Sequence, residues 1–163
     1  MRLFVAVNLP DTVRSSIWDS ARPFRERRFA IRWVASDNMH ITLKFLGEVS
    51  SHREEAIIEA LDAAVAGISP FILHLGGFGA FPDARRAKVV WVGCKPPDHF
   101  HQLFQQVEAN LAKTGFAREK RSFHPHVTLG RVRRDAPASR LNGLPSMFDR
   151  LDMEAEFPVR SIE

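Results

Sequence analysis

Two stretches of this chain carry side chains suited to moving protons: His40 to Gly47, HITLKFLG, and His124 to Arg131, HPHVTLGR. Each contains His-x-Thr-Leu, once as His40 and Thr42 and once as His126 and Thr128. Residues i and i+2 of a β-strand point to the same face, so each stretch can present an imidazole and a hydroxyl side by side above one sheet surface. Imidazole has an unperturbed pKa of about 6.5, which lets one copy be neutral and the other protonated near neutral pH. The pair can then serve as base and acid of one reaction, while the threonine hydroxyls hold an oxyanion without neutralising its electrophile. Phosphodiester cleavage fits best, with a histidine on either side of phosphorus and the hydroxyls on its non-bridging oxygens. The plain alternative for either histidine alone is a strand residue satisfied by a carbonyl, and for either threonine a good strand former. The matched repetition favours catalysis.

His40 and His126 stand 86 residues apart in a chain of 163, about half its length. This predicts two similar lobes facing each other across a cleft. The elements that must position the motifs follow from apolar periodicity. Arg2 to Leu9 reads as a buried strand. A helix follows Pro10, with Val13, Ile17 and Ala21 along one side, and ends before Pro23; Arg25 to Arg28 is a cationic connection. Ile31 to Val34 is a short strand, and Ser36 to Asn38 turns into the first motif. There, strict alternation puts His40, Thr42 and Lys44 on one face and Ile41, Leu43 and Phe45 on the other. A helix capped by Ser50 or Ser51 carries Ile57, Leu61, Ala64, Val65 and Ile68. Strands Phe71 to Leu75 and Ala87 to Val92 are joined by the glycine-rich GGFGAFPDARR, long for a hairpin loop. Pro96-Pro97-Asp98 opens a helix with Phe100, Leu103, Phe104, Val107 and Leu111 on one side. The second motif strand runs from Phe123 to Arg131. RVRRDAPASRLNGLPSM has no clear period and is expected to be a mobile loop, with at most a short helical turn. Asp149 to Val159 is the final strand. This order lacks the strand-helix alternation of a doubly wound parallel sheet, so the fold class is α+β.

Composition excludes several classes. With 45% hydrophobic residues, the chain can bury one sizeable core, and residues 1–163 form a single domain of two intertwined lobes. No apolar run approaches the roughly 20 residues of a membrane-spanning helix, and the N-terminus does not read as a signal peptide. The expectation is a cytoplasmic monomer. One cysteine, Cys94, leaves no internal disulfide and no cysteine-based zinc site, and reads as a small buried residue. The net charge of +4 is unevenly placed: Arg118, Lys120, Arg121, Arg131, Arg133, Arg134 and Arg140 crowd around the second motif. Such a cluster attracts phosphate chains, although it can also be a merely solvated surface. No P-loop or dinucleotide fingerprint is present, and the glycines of GGFGAF are read as serving a turn.

The two motifs with their surroundings resemble the two-histidine (2H) phosphoesterases, and within them the RNA 2′,3′-cyclic phosphodiesterases, also called 2′-5′ RNA ligases. RLFVAVNLP, RWVASDNMHITLKFLGEV, GGFGAFPDARRAKVVWVG and SFHPHVTLGRVR all look like that family, in order, over nearly the whole chain. The resemblance implies two pseudo-symmetric lobes, each a largely antiparallel sheet with helices outside and the site between them. It implies hydrolysis of a 2′,3′-cyclic phosphate at RNA or oligonucleotide ends to a 2′-phosphate, with His126 as base, His40 as acid and no cofactor or metal. Ligation, if any, would be the reverse of that reaction. Alternatives are an RNA-end binding module with weak turnover, or a phosphodiesterase for another cyclic or 2′-5′-linked nucleotide. Arg131 is expected to contact phosphate and Phe45 to lie against the base, although strict alternation points both away from their histidines, so a twist or bulge is required. Relatives carry Arg or Lys in place of His124, which suggests a substrate-binding donor; a metal site of His40, His124 and His126 is the competing reading. Lys44 does not read as a nucleotidylated ligase lysine. The family pattern continues beyond FPVR with a tyrosine-containing segment that this sequence does not show, which predicts a less protected sheet edge.

Overall fold

The computed structural model describes all residues, 1–163. The seven strands are β1 (Arg2–Asn8), β2 (Ile31–Trp33), β3 (His40–Glu48), β4 (Phe71–Phe81), β5 (Val89–Lys95), β6 (His126–Val132) and β7 (Glu154–Val159). The five helices are α1 (Asp11–Ser20), α2 (Arg22–Glu26), α3 (Glu54–Val65), α4 (Asp98–Lys113) and α5 (Leu144–Arg150). Every strand pairing is antiparallel, in the order β1-β3-β6-β5-β4-β7, with β2 added along part of β6. The class is α+β, as the element order predicted.

The two motif strands are neighbours. β3 and β6 pair only at Ile41 and Val127 and then diverge, β3 accompanied by β1 and β6 by β5 and β2. The two halves of the sheet are therefore joined at a single residue pair, one position inside each histidine. Ile41 and Val127 are fully buried, as are Leu43 and Leu129 close by. Burial of side chains of this size stabilises by about 1.5–3 kcal/mol each, so the seam is fixed from beneath by the core.

Several local expectations give way to tertiary context. α1 ends at Ser20, before Pro23, but a second helix follows where a connection was expected: Pro23 stands in the first turn of α2, where a missing N–H costs nothing, and Phe24 is sealed in the core. Arg25 thus belongs to a helix, its guanidinium 3.6 Å from the centre of the Trp18 ring. Ser50 and Ser51 make no side-chain cap to α3; they lead into a one-turn 3-10 segment, Ser51–Arg53. On α3 the buried residues are Ile57, Ala60 and Ala64, while Val65 is exposed.

The glycine-rich segment is strand. β4 runs on to Phe81, with a bulge at Gly76-Gly77 against β5 where Gly77 takes φ +74°. Gly79 lies directly beneath the Trp91 ring, where any side chain would collide with the indole. The segment after β6 is also ordered: Ala138–Leu141 is a 3-10 turn, and α5 buries Leu144 and Met147. β5, β6 and β7 begin at Val89, His126 and Glu154, later than apolar alternation indicated. Along β1, Ala6 exchanges two backbone hydrogen bonds with Glu163, at 2.8 and 2.9 Å. No helix is long and apolar enough to cross a membrane.

Candidate active site

Each motif begins its strand with a histidine locked by the backbone two residues earlier. His40 Nδ1 lies 2.7 Å from the Asn38 carbonyl, and His126 Nδ1 lies 2.7 Å from the His124 carbonyl. A carbonyl oxygen only accepts, so both Nδ1 atoms carry hydrogen and both rings present Nε2 for chemistry. Antiparallel register about the Ile41–Val127 pair sets Thr128 across from His40 and Thr42 across from His126. The four side chains lie on the face opposite a buried pair: each histidine faces a threonine across the seam, so the two imidazoles occupy one diagonal and the two hydroxyls the other.

Immediately beyond each threonine the strand bulges. Against β1, Ala6 pairs with Thr42 and Val5 with Lys44, leaving Leu43 as the extra residue. Against β5, Trp91 pairs with Thr128 and Val90 with Gly130, leaving Leu129 as the extra residue. Both bulges fall three residues after the histidine. A bulge shifts the alternation by one, so Phe45 and Arg131 come round to the face of their own histidines. That is the device the sequence required for these two residues. It also corrects the placement of Lys44, which strict alternation put beside His40. Lys44 is instead buried, 7% exposed, with its Nζ 2.8 Å from Glu108 Oε1 on α4 and 2.8 Å from the Ala117 carbonyl. Glu108 Oε2 in turn accepts from the Glu119 N–H. A lysine so enclosed and ion-paired holds β3 to α4 and offers no nucleophile.

The two histidines are otherwise furnished differently. His40 Nε2 is 3.1 Å from Thr42 Oγ1, and its ring stacks on Phe4 at 4.8 Å. Phe4 also contacts Phe45, its partner across β1 and β3, at 6.2 Å. Phe4 and Phe45 are 44% and 70% exposed, which marks them as a surface for something flat and apolar to cover. His126 meets the edge of Phe81 at 5.0 Å and lies 6.4 Å from Trp91. Burial pushes the His126 imidazole below its ordinary proton affinity; the hydrogen bond to the His124 carbonyl opposes this, and the nearby charges of Arg131 and His124 add to the lowering. The shift favours the neutral form of His126. His124 itself is exposed and contributes its carbonyl. Three histidines do not gather into a ligand set, and no group of three or more His, Cys, Asp or Glu side chains is placed to hold a metal ion.

All the residues predicted for the site lie on or beside this seam. Sequence reading missed Phe4, Phe81 and Trp91, which come from strands without a motif, and the Lys44–Glu108 pair. The cross-strand position of Phe4 could have been suspected from the exposed aromatic it faces; nothing local marks Phe81. Cys94 is half-buried and its thiol is pushed up to about 12 by burial, so it is inert.

Comparison with known proteins agrees with this geometry. A Thermotoga maritima protein named RNA 2′,3′-cyclic phosphodiesterase is 31% identical over 158 residues, covering 97% of this chain and 79% of its own. An Escherichia coli protein of the same name is 39% identical over 131 residues, 78% of this chain and 70% of its own. Among solved structures, a Thermus thermophilus protein superposes with a TM-score of 0.76 at 28% identity, over 99% of this chain and 86% of its own. Escherichia coli LigT complexed with 3′-AMP gives 0.70 at 32% identity, over 99% and 84%. The model of the 2′-5′ RNA ligase superfamily matches residues 10–163, and the chain belongs to that superfamily.

Proposed function

We propose that this protein hydrolyses 2′,3′-cyclic phosphate at RNA or oligonucleotide ends, leaving a 2′-phosphate, with the two histidines as base and acid. The observation that carries the reading is the pair of Nε2-presenting imidazoles set on either side of the Ile41–Val127 seam, each with a threonine hydroxyl beside it. Membership of the superfamily, and the name borne by its relatives, support the substrate class.

In this mechanism the neutral His126 Nε2 takes a proton from water, and the resulting hydroxide attacks phosphorus. His40, protonated at Nε2, gives its proton to the departing ribose O3′, so that the P–O3′ bond breaks and the 2′ ester survives. Both nitrogens of the His40 ring have oxygen partners within 3.1 Å, an arrangement that accommodates the doubly protonated ring. Thr42 and Thr128 donate to the non-bridging oxygens as negative charge builds on them, and Arg131 adds a positive charge on the His126 side. Phe45 with Phe4 receives the base, and His124 lines the approach. Solvent returns the proton from His126 and recharges His40. The enzyme is taken as a one-domain, cytoplasmic monomer.

The test is incubation with 2′,3′-cyclic mononucleotides and with RNA ending in a cyclic phosphate, the products being identified by phosphorus NMR. A 2′-phosphate from both is expected. A 3′-phosphate would reverse the roles of the ester oxygens, and tight binding of the RNA without turnover would make the protein an RNA-end binding module.

A further inference from the structure

Arg32 of β2 lies directly opposite Arg131 of β6. Like charges directly opposite each other on a sheet are destabilising. Neither guanidinium has a carboxylate or hydrogen-bonding partner, and both are exposed. Directly opposed residues of an antiparallel pair share a face, and the bulge at Leu129 puts Arg131 on the face of His126 and Thr128. Arg32 is therefore on the site face too. Its neighbours Ile31 and Trp33 point the other way, against Gly130, where a side chain would press within 2.6 Å of Ile31 and 2.8 Å of Trp33. This packing leaves β2 no freedom to turn Arg32 away.

We infer that Arg32, set beside Arg131, makes a second phosphate subsite, for the 5′-phosphate of the nucleotide whose cyclic phosphate is hydrolysed. The inference rests on the proposed function. The reacting phosphorus belongs near the Ile41–Val127 pair. Counting one bulge, Arg131 is three strand steps away, about 10 Å along the backbone at ~3.3 Å per residue. Arg131 is near enough for its charge to act on His126, and Arg32 stands across from it, one strand further out. Arg32 therefore meets the next phosphate along the chain rather than the reacting one. At the corresponding place in the other half stand Phe45 and Phe4, again a cross-strand pair of like kind. A terminal nucleotide with its base on the aromatic pair and its 5′-phosphate on the arginine pair spans both ends of the site. Two guanidiniums around one anionic phosphate also relieve the repulsion that the empty pair carries.

The experiment compares adenosine 2′,3′-cyclic phosphate with and without a 5′-phosphate. In the wild type, the 5′-phosphate should raise kcat/KM about tenfold, the worth of one charge-assisted hydrogen-bonded contact. Arg32→Met should bring that ratio close to one, and Arg32→Lys should keep most of it. The advantage should also shrink as salt rises in the wild type and be salt-independent in Arg32→Met. Because the ratio is taken on one preparation, it does not depend on the fraction folded. A wild type indifferent to the 5′-phosphate, or an Arg32→Met enzyme that keeps the preference, would overturn the subsite. Failure of the wild type on both substrates would instead remove the proposed function, and the subsite with it.

Discussion

The two half-sites share one chassis and differ in their fittings. Each has a strand-initial histidine bonded through Nδ1 to the carbonyl two residues before, a threonine two residues on, and a bulge at the third. From the fourth position they part. Lys44 goes inward to a buried ion pair with Glu108, whereas Gly130 has no side chain because β2 packs on it. At the fifth position an aromatic pair, Phe45 with Phe4, answers an arginine pair, Arg131 with Arg32. The shared part is what proton transfer needs on both sides of phosphorus. On the proposed function, the unshared part serves the nucleotide, whose two ends are chemically different. Symmetry stops where the substrate becomes asymmetric.

The largest effects should come from breaking the shared part. His40→Ala and His126→Ala should each lower kcat/KM by roughly 10²–10⁴-fold, the range for one general acid–base role. Log kcat/KM against pH should be bell-shaped in the wild type. Removing His126 should flatten the acidic limb and removing His40 the basic one, and the opposite pattern would exchange their roles. The double variant should lose less than the product of the single losses, because the residues act as a unit.

Next come the fourth positions, read by stability. Lys44→Met strands the Glu108 carboxylate in the interior and should cost about 3–5 kcal/mol in denaturant unfolding, much of it regained when Glu108→Leu is added. Gly130→Ala should cost about 1–3 kcal/mol through overpacking against Ile31 and Trp33. If Lys44→Met were as stable as the wild type, the ion pair would not be what anchors β3 to α4.

The fifth positions should separate by kind. Phe45→Ala should raise KM several-fold with little change in the salt dependence, since a stacked base contributes about 1–3 kcal/mol without charge. Neutralising Arg133, Arg134 and Arg140 together should raise KM for an oligonucleotide more than for a cyclic mononucleotide. Equal losses on both substrates would mean that the segment after β6 shapes the site itself.

A smaller effect follows from His126 alone. Its folded proton affinity is lowered, so below its ordinary pKa of about 6.5 the unfolded chain takes up protons that the folded chain resists. Folding stability should therefore fall as pH drops through that value, and His126→Gln should reduce the fall. The smallest expected effect is none: turnover should survive exhaustive chelation with EDTA. Loss of activity restored by zinc would bring back the three-histidine metal reading.

The sequence by itself determined the chemistry and the class of fold. His40, Thr42, His126 and Thr128 could be assigned because strand geometry is local: i and i+2 share a face whatever the strand packs against. The stripes of α1 and α4 were legible for the same reason, Val13 and Ile17 in one and Phe100, Leu103, Val107 and Leu111 in the other being buried as their spacing required. The need for a twist or a bulge followed from the family resemblance, which put Phe45 and Arg131 in the site against strict alternation. Tertiary structure decided what depends on a neighbour. The bulge position is set by pairing with β1 and β5, and it moved Lys44 to the interior. GGFGAF reads as a turn because glycine is a weak strand former, yet it is strand here because the Trp91 ring occupies the room a side chain would take. The segment after β6 looks aperiodic, yet Leu144 and Met147 order it by entering a core that the rest of the chain has built. The arginine pair is the furthest from sequence: Arg32 and Arg131 are nearly a hundred residues apart, and only the register of β2 on β6 sets them face to face.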